Sequence, residues 1–280
     1  PPYVLKADGL AAGKGVLIID KPNQAKDELY QMLVKSKFGV ASSSVVIEEF
    51  LEGIELSCFV LTDGKNYKIL PSAKDYKRIG EGDTGLNTGG MGAISPPPFL
   101  TEDIKTKIEQ RIIYPTIKGF ALDKLDYSGF VFFGLILVDE NPYVIEYNVR
   151  MGDPETQVVL PRINSDFLEL LNSIHEGSLN DNDLRINESS AATVVMVSGG
   201  YPETYEKKIE IKGLNKVKES KVYHAGVTKE KGLLKTNGGR VLAVTSLGEN
   251  INRALETSYS SIREIRFKNQ YYRKDIGFDL

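Results

Sequence analysis

Cysteine is close to missing from this chain: Cys58 is the only one in 280 residues. One thiol cannot form an intrachain disulfide or a cysteine zinc cage. Histidine is scarce too; His175 and His224 stand far apart, and no histidine-based metal motif is present. No apolar run approaches the ~20 residues that span a bilayer, and no signal peptide opens the chain. A membrane partner is therefore not expected, and the implied compartment is the cytoplasm. An excess of one charge is lacking as well, since the net charge is −3. That argues against a nucleic-acid partner while leaving room for a local basic pocket that takes phosphates. Nor does a methionine start the chain: Pro1-Pro2 leads at once into a strand, so the sequence reads as a piece of something longer.

What is present fits a globular protein of one large or two medium domains, with 41% apolar and 26% charged residues. The richest stretch is residues 143–157, Y-V-I-E-Y-N-V-R-M-G-D-P-E-T-Q. It follows the apolar run 131–138 and the turn-forming Asp139-Glu140-Asn141-Pro142, so the two runs read as a hairpin buried on at least one face. Glu146 and Asn148 are two apart and leave the same face of the strand. A carboxylate and an amide oxygen pointing one way are hard ligands suited to Mg²⁺, which takes its remaining oxygens from phosphates and water. Such a pair alone reads as the wet face of a strand. Arg150 continues its parity, however, and charge on a buried strand is costly unless it is paired or coordinates something. Asp153 reads as the N-cap of a helix with Pro154 at its first position.

Upstream, residues 3–7 form a strand carrying Lys6, and residues 15–19 a second. Gly9, Gly13, Lys14 and Gly15 lie in the small-residue loop between them, the kind that lets backbone N–H groups approach phosphate. It is not a Walker loop: three residues rather than four separate the glycines, Gly15 follows the lysine, and the loop joins two strands. Taken alone it is equally well a plain glycine hairpin. Residues 23–36 have the spacing of an amphipathic helix. Residues 45–50, V-V-I-E-E-F, read as a strand whose acidic end resembles an adenine hinge, with Glu55 placed for ribose hydroxyls. Strands follow at 55–62 and 67–72.

Residues 73–92, A-K-D-Y-K-R-I-G-E-G-D-T-G-L-N-T-G-G-M-G, form the longest stretch without regular pattern. Loops of this length in compact domains are usually functional or disordered, and the Lys, Arg and Gly content favours a substrate loop. Helices are expected at 101–113, with Thr101 as N-cap, and at 167–174, capped by Ser165 or Asp166. After a polar patch at 180–188, strands at 191–198, 222–228, 233–236 and 240–246 and a helix at 250–262 suggest a closing α+β module.

Taken together, these stretches resemble the ATP-grasp ligases, and among them the phosphoribosylamine–glycine ligase family. The resemblance rests on K-A-D-G-L-A-A-G-K-G-V at 6–16, I-E-E-F-L at 47–51, N-T-G-G-M-G-A at 87–93 and E-Y-N-V-R-M-G-D-P-E-T-Q at 146–157. It continues through S-G-G-Y-P at 198–202, H-A-G at 224–226, T-N-G-G-R-V-L at 236–242 and R-K-D-I-G at 273–277.

It implies an α+β (α/β) ATP-grasp fold with a small α+β C-terminal domain. The parts would be a partial lid subdomain at 1–50, a core at 51–188 and the closing domain at 189–280. By the same resemblance, Lys6, Gly9, Gly13, Lys14 and Gly15 cover the phosphates of ATP. Glu48, Glu49, Phe50 and Leu51 hold the adenine, and Glu55 the ribose. Glu146 and Asn148 bind Mg²⁺ or Mn²⁺. Arg150 and Asp153 are the catalytic residues, and Asp75, Lys77, Arg78, Gly89, Gly90 and Met91 line the pocket for glycine and phosphoribosylamine. The run 130–138 has none of the carboxylates that many ATP-grasp enzymes place before the metal strand, so only two protein ligands are expected.

The implied reaction passes through glycyl phosphate to glycinamide ribonucleotide, ADP and phosphate. The family's amino-terminal domain would precede the lysine strand. These 280 residues alone are therefore expected to bind ATP–Mg²⁺ weakly and to form no product. The alternatives are a non-catalytic ATP-grasp nucleotide-binding module and another ATP-grasp carboxylate–amine ligase. Oligomeric state leaves no signature in the sequence.

Overall fold

The pattern Y-V-L-K-A places β1 (Tyr3–Ala7) at the centre of a three-stranded antiparallel sheet, between β2 (Val16–Ile19) and β3 (Val45–Glu48). The computed structural model describes residues 1–11 and 15–280. Helix α1 (Pro22–Leu33) has proline in its first turn, where the missing N–H needs no partner. It buries Ala25 and Met32 with Leu5, Ala7 and Ile19. It stops three residues short of the expected end, because Ser36 adopts a left-handed φ of 50°. β3 ends at Glu48 rather than Phe50; its partner there is Val4, one residue from the start of β1. These elements make up the first of two units, Pro1–Gly53.

The second unit, Ile54–Leu280, is organised by an eight-stranded sheet in which every neighbouring pair is antiparallel. Its members in chain order are β4 (Ile54–Thr62), β5 (Tyr67–Asp75), β8 (Gly92–Ser95), β9 (Gly129–Val138), β10 (Asn141–Asn148), β11 (Ser190–Val197), β12 (Lys221–His224) and β15 (Arg240–Gly248). Their order across the sheet is β10-β9-β4-β5-β8-β11-β15-β12. Two small hairpins stand beside it, β6 (Arg78–Gly80) with β7 (Thr84–Asn87) and β13 (Val227–Glu230) with β14 (Leu233–Thr236). The helices are α2 (Glu102–Ile108), α3 (Tyr114–Leu122), α4 (Thr156–Val159), α5 (Phe167–Glu176) and α6 (Ile251–Ile262).

Strand alternation sorts the core. On one face, Leu56, Cys58 and Val60 pack with Phe133, Leu135 and the isoleucines of the α2–α3 segment. On the other, Phe59, Leu61 and Phe132 pack with Val158, Val159 and Leu170. Fully burying one such side chain stabilises by about 1.5–3 kcal/mol. Every residue of β11 is buried, Ser190 and Thr193 included; with β15 and α6 it forms a further core.

Cys58 belongs to this interior, with its sulfur 3.3 Å from Ser72 Oγ, and burial pushes its thiol up to about 12. A thiol held protonated is a poor nucleophile. A thiol-specific disulfide reagent at pH 8 is therefore expected to leave the native protein unlabelled and to react fully once it is denatured. Fast labelling of the native state would contradict this packing.

Several sequence expectations are corrected. The stretch 73–92 is not structureless. β5 runs to Asp75, the β6–β7 hairpin turns through Gly82 at φ 63°, and Tyr76 N–H and Met91 N–H bond to Gly92 and Tyr76 carbonyls at 2.9 and 2.7 Å. Glycines that read as loop signals are here the turn of a hairpin.

The helix from Thr101 does not end at Ile113 either. Its cap is as expected, accepting from Ile104 N–H at 3.3 Å, but a π-helical turn, Glu109–Ile113, carries it into α3. Pro115 cannot donate to the preceding turn, and the widened turn accommodates that loss. α5, by contrast, starts where expected, capped by Asp166. Asp153 is not an N-cap, because α4 begins only at Thr156. The expected strand 222–228 breaks at Ala225-Gly226, where Gly226 packs against Gly238 so closely that a Cβ on it would sit 2.6 Å from the Gly238 Cα. Among the described residues, no helix is long and apolar enough to cross a membrane.

Candidate active site

The β9–β10 hairpin turns on Asp139 and Glu140, both at positive φ (47° and 59°), as a two-residue reversal between right-twisted strands requires. A bulge between Val144 and Glu146 then sets the register that brings Glu146 opposite Gly134 and Asn148 opposite Phe132. Across the next ladder, Gly134 faces Ser57 of β4. Laterally paired residues share a face, so Glu146, Gly134 and Ser57 form one row. Gly134 is the gap in that row: a Cβ there would lie 3.0 Å from Glu146 Cγ.

Glu146 and Asn148 are brought together. Asn148 Nδ2 donates to Glu146 Oε1 at 3.1 Å, and Arg150 donates to Asn148 Oδ1 at 3.3 Å and to the Met151 carbonyl at 3.0 Å. Ser57 Oγ, further along the row, donates to Glu155 Oε1 at 3.0 Å. Glu155 is 5% exposed. Burial, and then the nearby Asp75 carboxylate, push it up to about 7, against the pull of the Ser57 bond and of Lys77. Asp75 is raised by burial and by Glu55, while Lys77 opposes the shift. Burial would deprotonate Lys77, but Asp75 and Glu55 outweigh it and hold the ammonium above its ordinary range. Lys77 also pairs directly with Glu55. Three carboxylates thus surround one ammonium beside the Glu146 row.

A second knot lies at the turn after β10. Arg240 NH2 reaches Asp153 Oδ2 at 2.6 Å, and its NH1 reaches the Gly89 and Asp153 carbonyls at 2.6 and 3.2 Å. Tyr201 OH accepts from Gly89 N–H at 3.0 Å. A Cβ on Gly90, at φ 112°, would overlap Pro154 Cδ. The motif segments at 87–90, 152–154, 198–202 and 236–240 therefore meet at one place. Arg78 turns away, donating to the Gly85 carbonyl, and Met91 is fully buried in the core. Exchanging Arg240 for methionine removes three charge-assisted bonds at a partly exposed site. We expect a loss of about 2 kcal/mol in urea denaturation; an unchanged midpoint would show that the knot adds nothing.

In the first unit, Lys6 pairs with Glu48 at 2.7 Å, and Gly9 approaches the chain at Ala41 so closely that a Cβ would sit 2.6 Å from the Ala41 Cα. A Cβ on Gly15 would meet that of Ala11 at 2.8 Å. Gly13 and Lys14 lie outside the described residues. Glu49, Phe50 and Leu51 follow β3 as a segment without regular structure.

Sequence reasoning missed Ser57, Glu155, Tyr201 and Arg240 as site residues. Ser57 shares the strand parity of Glu55, and Glu155 stands inside the G-D-P-E-T-Q motif, so signals existed for these two.

A family model described as Phosphoribosylglycinamide synthetase, ATP-grasp (A) domain, matches residues 1–156; a second, Phosphoribosylglycinamide synthetase, C domain, matches residues 191–279. The chain is 46% identical over 280 residues to the phosphoribosylamine–glycine ligase of Fusobacterium nucleatum, covering 99% of this chain and 66% of that protein. The crystal structure of phosphoribosylamine–glycine ligase from Thermotoga maritima superposes with a TM-score of 0.90 at 38% identity, over 98% of this chain and 68% of that one. Biotin carboxylase from Campylobacter jejuni, at 14% identity and a TM-score of 0.69 over 96% of this chain and 58% of its own, shares the fold alone. The chain spans about two thirds of the length of the curated relatives it matches.

Proposed function

Because the chain belongs to the phosphoribosylglycinamide synthetase family and has its ATP-grasp fold, we propose that it carries the ATP-handling machinery of a ligase joining glycine to 5-phosphoribosylamine. The reaction runs through glycyl phosphate and releases ADP and phosphate. The observation that supports this most is the pair Glu146 and Asn148 on one sheet face, joined through Asn148 by Arg150 in the bend that follows β10, inside the segment where family likeness is strongest in motif. In this reading the protein works in the cytoplasm on small molecules, and its parts divide at residues 50 and 188.

The donor set suits a divalent ion. Glu146 and Asn148 offer hard oxygens. Among the described residues, no group of three or more His, Cys, Asp or Glu could hold a metal unaided. Such an ion would take most of its shell from phosphates, as Mg²⁺ usually does; Mn²⁺ has the same ligand preference. When bound, it would neutralise charge on the transferring phosphoryl group. The rest is positioning. Lys6 and the Gly9–Gly15 segment would hold phosphates, residues 48–51 the base and Glu55 the ribose. Asp75, Lys77, Gly89 and Gly90 would bound the acceptor pocket, with Arg150 and Asp153 beside the reacting carboxylate. Phosphoryl transfer needs little more than such positioning and charge neutralisation.

Trapping with hydroxylamine in the full product of the gene tests this reading. With ATP, Mg²⁺ and glycine, glycyl phosphate would be captured as glycine hydroxamate. ATP binding without hydroxamate, and without ADP release on adding phosphoribosylamine, would make the chain a nucleotide-binding module instead.

A further inference from the structure

An acyl phosphate attacked by an amine leaves a proton to be removed, and neither Arg150 nor a metal-bound carboxylate is suited to take it. Glu155 is placed to do so. Its carboxyl group is nine-tenths buried and oriented by the Ser57 hydroxyl at 3.0 Å. Ser57 pairs laterally with Gly134, and Gly134 with Glu146, so no side chain intervenes in the row between this carboxyl group and the proposed metal ligand. The missing Cβ of Gly152 lets the carboxyl group lie against the backbone on its other side, since a Cβ there would sit 2.5 Å from Glu155 Oε2. On the strength of this geometry, and resting on the ligase reading above, we infer that Glu155 is the general base that accepts the proton of the attacking amine.

In the step, the amine nitrogen lone pair forms the C–N bond to the acyl carbon. The C–O bond to phosphate breaks, its electron pair leaving with phosphate. The proton shed by nitrogen passes to Glu155 and then to water. The charged groups facing Glu155 suit the task. Burial and the Asp75 carboxylate on β5 disfavour its ionisation, while Glu55 acts on Asp75 and Lys77 beside it. Lys77 favours it, and Arg150 and Asp153, the latter neutralised by Arg240, flank it on its own segment. A carboxyl group poised near neutrality both takes a proton and releases it again at working pH.

The test separates the two half-reactions in the full product of the gene. Hydroxylamine is small, reacts as the free amine and can lose its proton to solvent, so its capture of glycyl phosphate does not need the base. Glu155→Gln is expected to form glycine hydroxamate at the wild-type rate while transfer to phosphoribosylamine falls about 10²–10⁴-fold. Its residual transfer should no longer show the acid limb near neutral pH. Glu155→Asp should recover part of the loss. Ser57→Ala, which leaves the carboxyl group in place but unoriented, should lower transfer about tenfold and leave hydroxamate untouched; it decides the matter if Glu155→Gln does not fold. Equal losses in both half-reactions, or no loss in either, would overturn the assignment of Glu155. No hydroxamate from the unaltered protein would overturn the ligase reading, and this inference with it.

Discussion

In the full product of the gene, replacing Glu146 with glutamine is expected to lower turnover about a thousandfold and leave the fold intact, a loss of the size seen when one charge-stabilising group is taken from a preorganised site. Glu146 is exposed on its strand and accepts a bond from Asn148, so glutamine fits without repacking. What changes is the charge offered to a divalent ion. A neutral amide oxygen binds the ion less tightly, and phosphate charge on the nucleotide then goes uncompensated. Two readouts report on this. Mn²⁺ bound in the presence of nucleotide, followed by electron paramagnetic resonance, should weaken in step with turnover, while circular dichroism and the melting temperature stay at wild type. Full activity with unchanged metal dependence would remove Glu146 from the site.

The second large effect is on stability. Arg273 is fully buried, its guanidinium 5.4 Å from the Tyr76 ring centre and 5.6 Å from that of Phe278. Its fork grips Asp275 at 2.8 and 2.9 Å, and NH1 reaches Asp83 and the Arg78 carbonyl. The closing segment of the chain thereby holds the β6–β7 hairpin, helped by Lys74 and Tyr76, which both bond Asp279. Arg273→Met keeps the volume and leaves two carboxylates without their cation. Breaking a buried pair in this way costs about 3–5 kcal/mol, and the lower end applies because Asp83 is partly solvated. For a chain of this size that corresponds to a melting temperature lower by roughly 6–10 °C.

A pH dependence follows. Partial burial works against ionisation of Asp275, but the Arg273 fork and the Gly82 amide hold its carboxyl group below the usual range. A depressed carboxylate contributes stability above its unfolded pKa and loses it as pH falls through the folded one. The wild type should therefore lose this contribution below about pH 4, and Arg273→Met should show a shallower acid limb. Equal melting temperatures for the two proteins would show that the ion pair is merely tolerated.

How far the site was legible in the sequence depended on distance along the chain. The parity of Glu146 and Asn148 follows from the period of a strand, and a bulge at Ile145 does not alter it, since both remain on one face. The partner of Glu155 lies 98 residues away in Ser57, and that of Asp153 87 residues away in Arg240. No local pattern encodes such pairings. The 73–92 stretch was misread because Gly-rich hairpin turns and true loops use the same residues; only the backbone bonds to Tyr76 and Lys77 distinguish them. The helix expected to end at 113 runs on past Pro115 through a π-helical turn, which no local spacing announces. The grip of Arg273 on Asp83, 190 residues apart, was invisible for the same reason as Ser57 and Glu155.

The most direct measurement is to give the full product of the gene ATP, Mg²⁺, ¹⁵N-glycine and freshly made phosphoribosylamine, and to count ADP and labelled product together by mass spectrometry. A phosphoribosylamine–glycine ligase forms ¹⁵N-glycinamide ribonucleotide and ADP in equal amounts, and forms neither when glycine is left out. ADP released at the same rate without glycine, or no labelled ribonucleotide despite bound ATP, would contradict it.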